Sequence, residues 1–225
     1  MPRVLIYGAG AIGSMIGYLL SEEDETEDVA LLGRTGHIQR IREDGLRIDL
    51  PGRTKYIRFR YCFSDLQEMI GSGFAPEIVM VSVKTYSLGE VCRELEAQGV
   101  SEGSLGGAAF VLLMNGMGNL EVFSRLGLPS DRVYEGVTSI GVTFPEDGRI
   151  ELRGMGRTVL EDRIPERWKI QLSERFQEKG FEIEFASDFR EQQWRKLIVN
   201  AVINPVTALT RERNGIVTAG QLRWV

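Results

Sequence analysis

A glycine-rich segment near the beginning of the chain restricts the fold more than any other feature. Four apolar residues, Val4–Tyr7, run into Gly8-Ala9-Gly10-Ala11-Ile12-Gly13, and a stretch with helical character follows. A strand, a Gly-x-Gly-x-x-Gly turn and a helix in this order indicate dinucleotide binding. The first glycine permits the tight turn, the second lets the backbone approach a diphosphate, and the third lets the helix pack on the strand. An ordinary strand–helix turn is the alternative.

The end of the second predicted strand, Asp28–Gly33, indicates which dinucleotide binds. A carboxylate at this point normally bonds the ribose 2′-OH of NAD, whereas an arginine can pair with the 2′-phosphate of NADP. The residue here is Arg34, and no acidic residue follows until Glu43. We therefore predict NADP(H), with a plain surface role for Arg34 as the alternative. His37, the single histidine of the chain, is expected in a loop at the surface and is given no chemical role.

Two further strands are predicted to end in polar residues. Continuous apolar runs precede Lys84 and Asn115, and such runs are typical of strands buried on both faces of a parallel sheet. Ligands of open α/β sheets bind outside the carboxyl ends of the strands. Each residue alone is an ordinary strand-terminating polar group, but together with the glycine segment they indicate one binding crevice.

A polar stripe marks a helix predicted near the end of the chain. Lys196, Asn200 and Asn204 are successive i, i+4 neighbours and therefore lie on one helix face, which Thr207 extends if the helix continues past Pro205. The residues between them are apolar, so the helix is expected to be buried. A cationic donor and two amides suit an anionic, oxygen-rich small molecule. The alternative is a stripe that bonds to neighbouring loops and only organises the core.

Several motifs occur in the order known from one protein family. They are the glycine segment, Gly33-Arg34 with His37 and Gly45-Leu46, Val83-Lys84, Asn115-Gly-Met-Gly118, Gly136-Val-Thr-Ser-Ile-Gly-Val142, Trp194-x-Lys196-Leu-x-x-Asn200-x-x-x-Asn204-Pro205-x-Thr207-Ala208-Leu209 and Asn214-Gly215. Together they resemble the ketopantoate reductase (2-dehydropantoate 2-reductase) family. The lysine–asparagine helix is the most specific of them, whereas the glycine segment is shared by many dehydrogenases.

The resemblance implies an NADPH-dependent reduction of a 2-oxo acid to a 2-hydroxy acid, the second step of pantothenate synthesis. It implies that Lys196 donates the proton to the ketone oxygen and that Asn200, Asn204 and Asn214 bind the substrate. Asn115 and Lys84 are placed at the nicotinamide end of the cofactor, with Asn115 also near the substrate. Val142 is implied to make a backbone contact with the cofactor, and the glycine segment, comprising Gly8, Ala9, Gly10, Ala11, Ile12 and Gly13, to bind its diphosphate.

One departure from the family pattern leaves other functions open. Relatives usually continue with several more helices, which carry a serine and a glutamate that contact substrate and cofactor, and no residue here matches those two. The alternatives are a non-catalytic NADP(H)-binding module or remnant, and a reductase of a different branched 2-oxo acid.

Composition limits which other classes of protein the chain can belong to. A net charge of −5 argues against nonspecific binding to nucleic acid or to an anionic membrane, and no apolar run is long enough to span a bilayer. The two cysteines, Cys62 and Cys92, have no metal-ligand spacing and suit a cytoplasmic protein without a metal. A homodimer is a further expectation.

The predicted fold is α/β, with a Rossmann-type sheet followed by the start of an all-helical C-terminal domain. Strands and helices alternate up to about residue 125, and further strands occupy residues 133–160 with a Pro-Glu-Asp-Gly turn. The acidic run Glu22–Asp28 is expected to be a solvated loop. The domain boundary is predicted where Ser187 caps the long C-terminal helix, which gives residues 1–186 as the NADP-binding domain and 187–225 as the start of a substrate-binding domain.

Overall fold

The computed structural model describes residues 1–22, 24–100 and 103–211. The chain divides into two units, Met1–Phe189 and Arg190–Val225. The strands are β1 (Val4–Tyr7), β2 (Glu25–Leu32), β3 (Leu46–Leu50), β4 (Arg53–Phe63), β5 (Ile78–Val81), β6 (Ala109–Leu113), β7 (Val133–Thr138), β8 (Gly141–Glu146), β9 (Arg149–Gly154), β10 (Arg157–Glu161) and β11 (Glu182–Ala186). The α-helices are α1 (Ala11–Leu20), α2 (Thr35–Asp44), α3 (Leu66–Gly71), α4 (Leu88–Ala97), α5 (Asn119–Phe123), α6 (Glu166–Glu178) and α7 (Phe189–Thr210).

The first unit is organised around a parallel sheet. Six consecutive strands in the order β4-β2-β1-β5-β6-β7 pair in parallel, which is the strand order of the doubly wound dinucleotide-binding fold. β10 joins β7 in antiparallel fashion and is followed by β11. The predicted α/β, Rossmann-type fold is confirmed, and the carboxyl ends of β1, β2, β5 and β6 meet at one edge.

The central strands are buried on both faces, as their uninterrupted apolar sequences predict. In β1, Val4 and Ile6 belong to one hydrophobic cluster while Leu5 and Tyr7 belong to another. Apolar residues of α1 and α6 complete the first cluster, and those of α3 and α4 complete the second. Helices thus cover both faces of the sheet, which is the arrangement that parallel sheets require.

Two elements differ from the sequence-based expectation. The acidic run is not only a solvated loop, because β2 already begins at Glu25, with Thr26 and Val29 turned into the core. The hairpin of β3 and β4 was not predicted, although its signal is present. Pro51 and Gly52, the latter with φ of +74°, separate two runs of alternating character, and this pattern is typical of a hairpin.

The last described helix is long but not buried. α7 begins at Phe189 rather than directly after Ser187, and it continues past Pro205 to Thr210. Its apolar side chains are widely exposed, with Ile198 at 59% and Val202 at 55% of their full accessible surface. The expectation of a buried helix is therefore wrong for the described chain, because the residues that the structure describes leave this apolar surface uncovered.

Candidate functional site

The glycine loop between β1 and α1 is tightly packed on its protein side and open at one position. Gly8 has φ of +102°, and a Cβ there would lie 2.7 Å from Cγ1 of Val83. A Cβ on Gly13 would lie 2.3 Å from the carbonyl oxygen of Gly8, so this glycine permits the close approach of helix and strand. A Cβ on Gly10 would meet no atom within 4 Å, which leaves its backbone accessible to a bound group.

Neighbouring strand ends hold the loop in place. The backbone N–H groups of Gly8 and Ala9 both donate to the carbonyl oxygen of Leu32 at the end of β2, at 2.9 and 2.8 Å. The hydroxyl of Ser82, directly after β5, donates to the carbonyl oxygen of Gly8 at 3.0 Å. Sequence reasoning missed Ser82, although a serine at the carboxyl end of a buried strand is the available signal. The loop is thus braced from both neighbours of β1.

The beginning of α1 fits a diphosphate. The helix starts at Ala11, followed by Ile12, and its N-cap Gly10 offers no side-chain cap to the first N–H groups. No acidic residue lies in the first turn. Free N–H groups and the positive end of the helix dipole together favour a bound anion.

Arg34 lies beside the glycine loop at the start of α2. Gly33 is so close to the loop that a Cβ on it would lie 3.0 Å from the Cβ of Ala9. Arg34 is exposed, and its guanidinium carbon lies 5.4 Å from the centre of the Phe144 ring on β8. The ring gives the guanidinium a cation–π contact, while the exposed donors remain available to an anion.

The structure brings the loops after β5 and β6 together. Lys84 and Asn115 are both exposed, and the hydroxyl of Thr85 donates to the carbonyl oxygen of Asn115 at 3.0 Å. The side-chain amide of Asn119 donates to the same oxygen at 3.3 Å. Asn119 is buried, and among the described residues its Oδ1 has no hydrogen-bond partner. Sequence reasoning missed Asn119, for which a polar residue just after the Gly-Met-Gly segment was the only signal.

Val142 lies on β8, opposite Leu152 of β9. It is partly buried against the same hydrophobic cluster that Ile12 of the glycine loop packs against. The hairpin of β8 and β9 contacts α1. Val142 thus belongs to a hairpin next to the dinucleotide-binding helix, and its backbone role stays a prediction.

Three residues of the predicted polar stripe lie on α7. Lys196 and Asn200 are half-buried, whereas Asn204 is exposed. Burial lowers the pKa of the Lys196 ammonium to about 8. The helix continues beyond Pro205, and the hydroxyl of Thr207 donates to the carbonyl oxygen of Ile203 at 2.9 Å. Asn214 lies outside the described residues.

His37 differs from its expectation. It lies on α2, not in a surface loop, and it is fully buried. Its Nδ1 accepts a hydrogen bond from the backbone N–H of Gly148 at 2.8 Å, and its Nε2 lies 3.0 Å from Oγ of Ser14. Burial lowers the pKa of the imidazole to about 4, while Asp147 opposes this shift and Arg34 adds to it. The expectation failed because one histidine in a sequence reveals nothing about a partner that is distant along the chain.

Other classes of site find little support in the described part of the chain. Among residues 1–22, 24–100 and 103–211, no group of three or more histidine, cysteine, aspartate or glutamate side chains could hold a metal ion. No helix there is both long and apolar enough to cross a membrane. Both cysteines are free and buried.

The fold and the glycine loop define a Rossmann-type dinucleotide-binding protein. A family model described as ketopantoate reductase PanE/ApbA matches residues 4–164, and the model of its C-terminal region matches residues 188–223. The chain therefore belongs to the ketopantoate reductase PanE/ApbA family, a family of dinucleotide-dependent reductases, and the resemblance seen in the sequence is confirmed.

Individual relatives agree with this assignment. The 2-dehydropantoate 2-reductase of Pyrococcus horikoshii is 31% identical over 218 residues, which cover 96% of this chain and 66% of that protein. The crystal structure of 2-dehydropantoate 2-reductase from Geobacter metallireducens GS-15 is 25% identical with a TM-score of 0.78, covering 96% of this chain and 68% of that one. D-mandelate dehydrogenase in a ternary structure with NADH shares the fold, at 21% identity and a TM-score of 0.71, over 91% of this chain and 63% of that one. The chain spans about two thirds of the length of the curated relatives it matches.

Proposed function

We propose that the chain acts in the NADPH-dependent reduction of 2-dehydropantoate (ketopantoate) to pantoate, a step of pantothenate biosynthesis. Membership of the PanE/ApbA family and the names of the relatives support this choice. Because the chain spans about two thirds of those relatives, the activity of the whole protein is part of the proposal.

We propose that the cofactor binds at the carboxyl ends of the parallel strands. The N–H groups at the start of α1 bind the diphosphate, for which the open backbone at Gly10 leaves room. Arg34 pairs with the 2′-phosphate, which selects NADP(H) over NAD(H). Lys84 and Asn115 contact the nicotinamide end, and the backbone of Val142 makes a further contact. When bound, the cofactor supplies the hydride, and the protein supplies binding and orientation.

Lys196 is proposed as the general acid. As the substrate carbonyl is reduced, negative charge develops on its oxygen, and a nearby ammonium stabilises this charge and then donates its proton. A pKa of about 8 suits this task, because the group is still charged near neutral pH yet releases a proton more readily than an exposed lysine does.

The asparagines are proposed to bind and orient the substrate. Asn200 and Asn204 are one and two helix turns beyond Lys196 on the same helix, so their amides can bond the carboxylate and hydroxyl oxygens of ketopantoate. Asn115 and Asn214 complete the proposed set.

The observation that carries the proposal is the row of Lys196, Asn200 and Asn204 on one uninterrupted helix, with the pKa of the lysine lowered. The test is oxidation of NADPH by the purified chain in the presence of ketopantoate, beside a titration of NADPH binding. The matched control removes a positive charge directly beside the stripe: Arg195→Ala, at an exposed position paired with Glu191. Turnover by wild type and Arg195→Ala, but not by Lys196→Ala, supports the proposal.

A nucleotide-binding module without turnover is the second candidate. The exposure of apolar side chains on α7 favours it. Ile198 and Val202 are exposed, so the described residues leave the candidate substrate helix partly uncovered. NADPH binding without oxidation selects this candidate. A third candidate keeps the reaction but changes the 2-oxo acid. It is tested by reduction of a series of branched 2-oxo acids with NADPH and, in the reverse direction, by oxidation of D-mandelate with NADP⁺.

We further propose that residues 1–186 form the NADP-binding domain and residues 187–225 begin the substrate-binding domain. A cytoplasmic location and a homodimer belong to the same proposal. Gel filtration with light scattering tests the dimer.

A further inference from the structure

The turn between β8 and β9 is fastened to α2 by a buried histidine. Gly148 of this turn donates its backbone N–H to Nδ1 of His37 at 2.8 Å. The turn presses so closely on the helix that a Cβ on Gly148 would lie 2.5 Å from Cγ of Arg40. On its other side, His37 reaches Oγ of Ser14, one residue after the glycine segment, at 3.0 Å. One ring therefore joins the hairpin, α2 and the first helix.

The two hydrogen bonds determine the protonation state and tautomer of the His37 ring. A backbone N–H can only donate, so Nδ1 of His37 is an unprotonated acceptor. The proton of the neutral imidazole then lies on Nε2, which donates to the hydroxyl oxygen of Ser14. Because the ring is fully buried, a broken bond would leave a polar atom without water, and the arrangement is held firmly.

The fastened hairpin carries two side chains to the beginning of α2. The centre of the Phe144 ring lies 4.7 Å from the centre of the His37 ring and 5.4 Å from the guanidinium carbon of Arg34. Asp147 reaches the first turn of α2, where a Cβ on Gly36 would lie 2.6 Å from its Oδ2. Arg34 is thus supported by an aromatic ring, and a carboxylate lies close to the same helix end.

We propose that His37 is a positioning residue for recognition of the 2′-phosphate, and that the β8–β9 turn sets the strength of this recognition. Through its bond to Gly148, His37 fixes the hairpin that places Phe144 beneath Arg34, so that the guanidinium is oriented before the ligand arrives. Asp147 acts in the opposite direction, because a carboxylate near the helix end repels a doubly charged phosphate. The inference rests on the proposed cofactor role of Arg34 and extends it to a hairpin more than a hundred residues further along the chain.

The experiment separates the 2′-phosphate from the rest of the cofactor. Dissociation constants of adenosine 2′,5′-bisphosphate and adenosine 5′-monophosphate are measured by calorimetry at fixed pH and salt. The dissociation constant of adenosine 5′-monophosphate divided by that of adenosine 2′,5′-bisphosphate reports recognition of the 2′-phosphate alone and requires no turnover. A larger ratio means stronger recognition. A loss of folding or of general affinity changes both constants and leaves the ratio unchanged.

Two substitutions of His37 each keep one of its two hydrogen bonds and remove the other. His37→Asn places its side-chain oxygen near Nδ1, so it can still accept from Gly148 but cannot reach Ser14. His37→Gln reaches Ser14 but leaves the N–H of Gly148 without its partner. We expect the ratio to fall about two- to fivefold in His37→Gln, the amount lost with a cation–π contact at an exposed site, and to stay within about twofold of wild type in His37→Asn.

Variants at less buried positions keep the test decisive if both histidine variants are unstable. Phe144→Leu removes the ring beneath Arg34 and should also lower the ratio about two- to fivefold. Asp147→Asn removes the repelling charge and should raise the ratio above that of wild type. A wild-type ratio near one would refute the proposed NADP selectivity itself. A clear wild-type preference that survives both His37→Gln and Phe144→Leu would refute only the role of His37.

Discussion

Acid should destabilise the protein partly through one residue, His37. Its pKa lies at about 4, below the ordinary value of 6.5, since burial disfavours the charged ring. Arg34 also lowers this pKa, whereas Asp147 raises it. A histidine with a lowered folded-state pKa favours folding while it is neutral. Its contribution is therefore complete above pH 6.5 and is lost as the pH falls towards 4, because the unfolded chain takes up a proton that the folded chain does not.

The size of this effect follows from the shift. A displacement from 6.5 to about 4 corresponds to about 3 kcal/mol at the acid end of the window. Between about pH 7 and pH 4.5, linkage predicts a loss of about 2 kcal/mol from this residue alone. That is a large part of the roughly 5–15 kcal/mol typical of native proteins. The N–H of Gly148 acts in the same direction as burial, because it cannot bond to a protonated Nδ1.

The assay is urea unfolding of wild type and His37→Gln at several pH values between about 7 and 4.5, followed by tryptophan fluorescence. The buried Trp168 of α6 reports on the first unit. Carboxylates that do not act on the ring contribute equally to both proteins, so the difference between their pH slopes reports on the histidine together with its interaction with Asp147. His37→Gln should be less stable at neutral pH and should lose about 2 kcal/mol less than wild type on acidification. Equal losses in both proteins would show that the pKa of the ring is the same in the folded and unfolded chains, which would refute the lowered pKa of His37.

Four further predictions concern the proposed reaction. Lys196→Ala should lower kcat about 10²–10⁴-fold with NADPH binding retained, measured by steady-state kinetics with the fold checked by circular dichroism. In wild type, kcat/KM for the oxo acid should fall as the pH rises through about 8, because the general acid of the free enzyme loses its proton; an unchanged profile up to about pH 10 would contradict the role of Lys196. Arg34→Ala should weaken NADPH by about 1.5–3 kcal/mol and NADH far less, and equal losses in a binding titration would remove its assignment. Asn200→Ala or Asn204→Ala should raise KM for the oxo acid with little change in NADPH affinity, and lower thermal stability with normal kinetics would identify the stripe as structural.

Sequence patterns predicted those parts of the structure whose cause is local. The apolar run of β1 and the spacing of Gly8 and Gly13 require a strand, a tight turn and a close helix, and the structure has all three. The i, i+4 spacing likewise placed Lys196 and Asn200 on one continuous helix. Burial of that helix could not be predicted in the same way, because it depends on what covers the helix rather than on its own sequence.

The contacts that sequence reasoning missed join segments far apart in the chain. Ser82 braces Gly8, and Gly148 fixes His37, across separations of 74 and 111 residues. No local pattern can indicate such pairs, because each residue is ordinary in its own segment. The first bond holds the glycine loop from the side of β5, and the second holds the β8–β9 turn against α2. The proposed recognition of the 2′-phosphate therefore involves residues as far along the chain as the β8–β9 turn, although the glycine motif itself lies near the start.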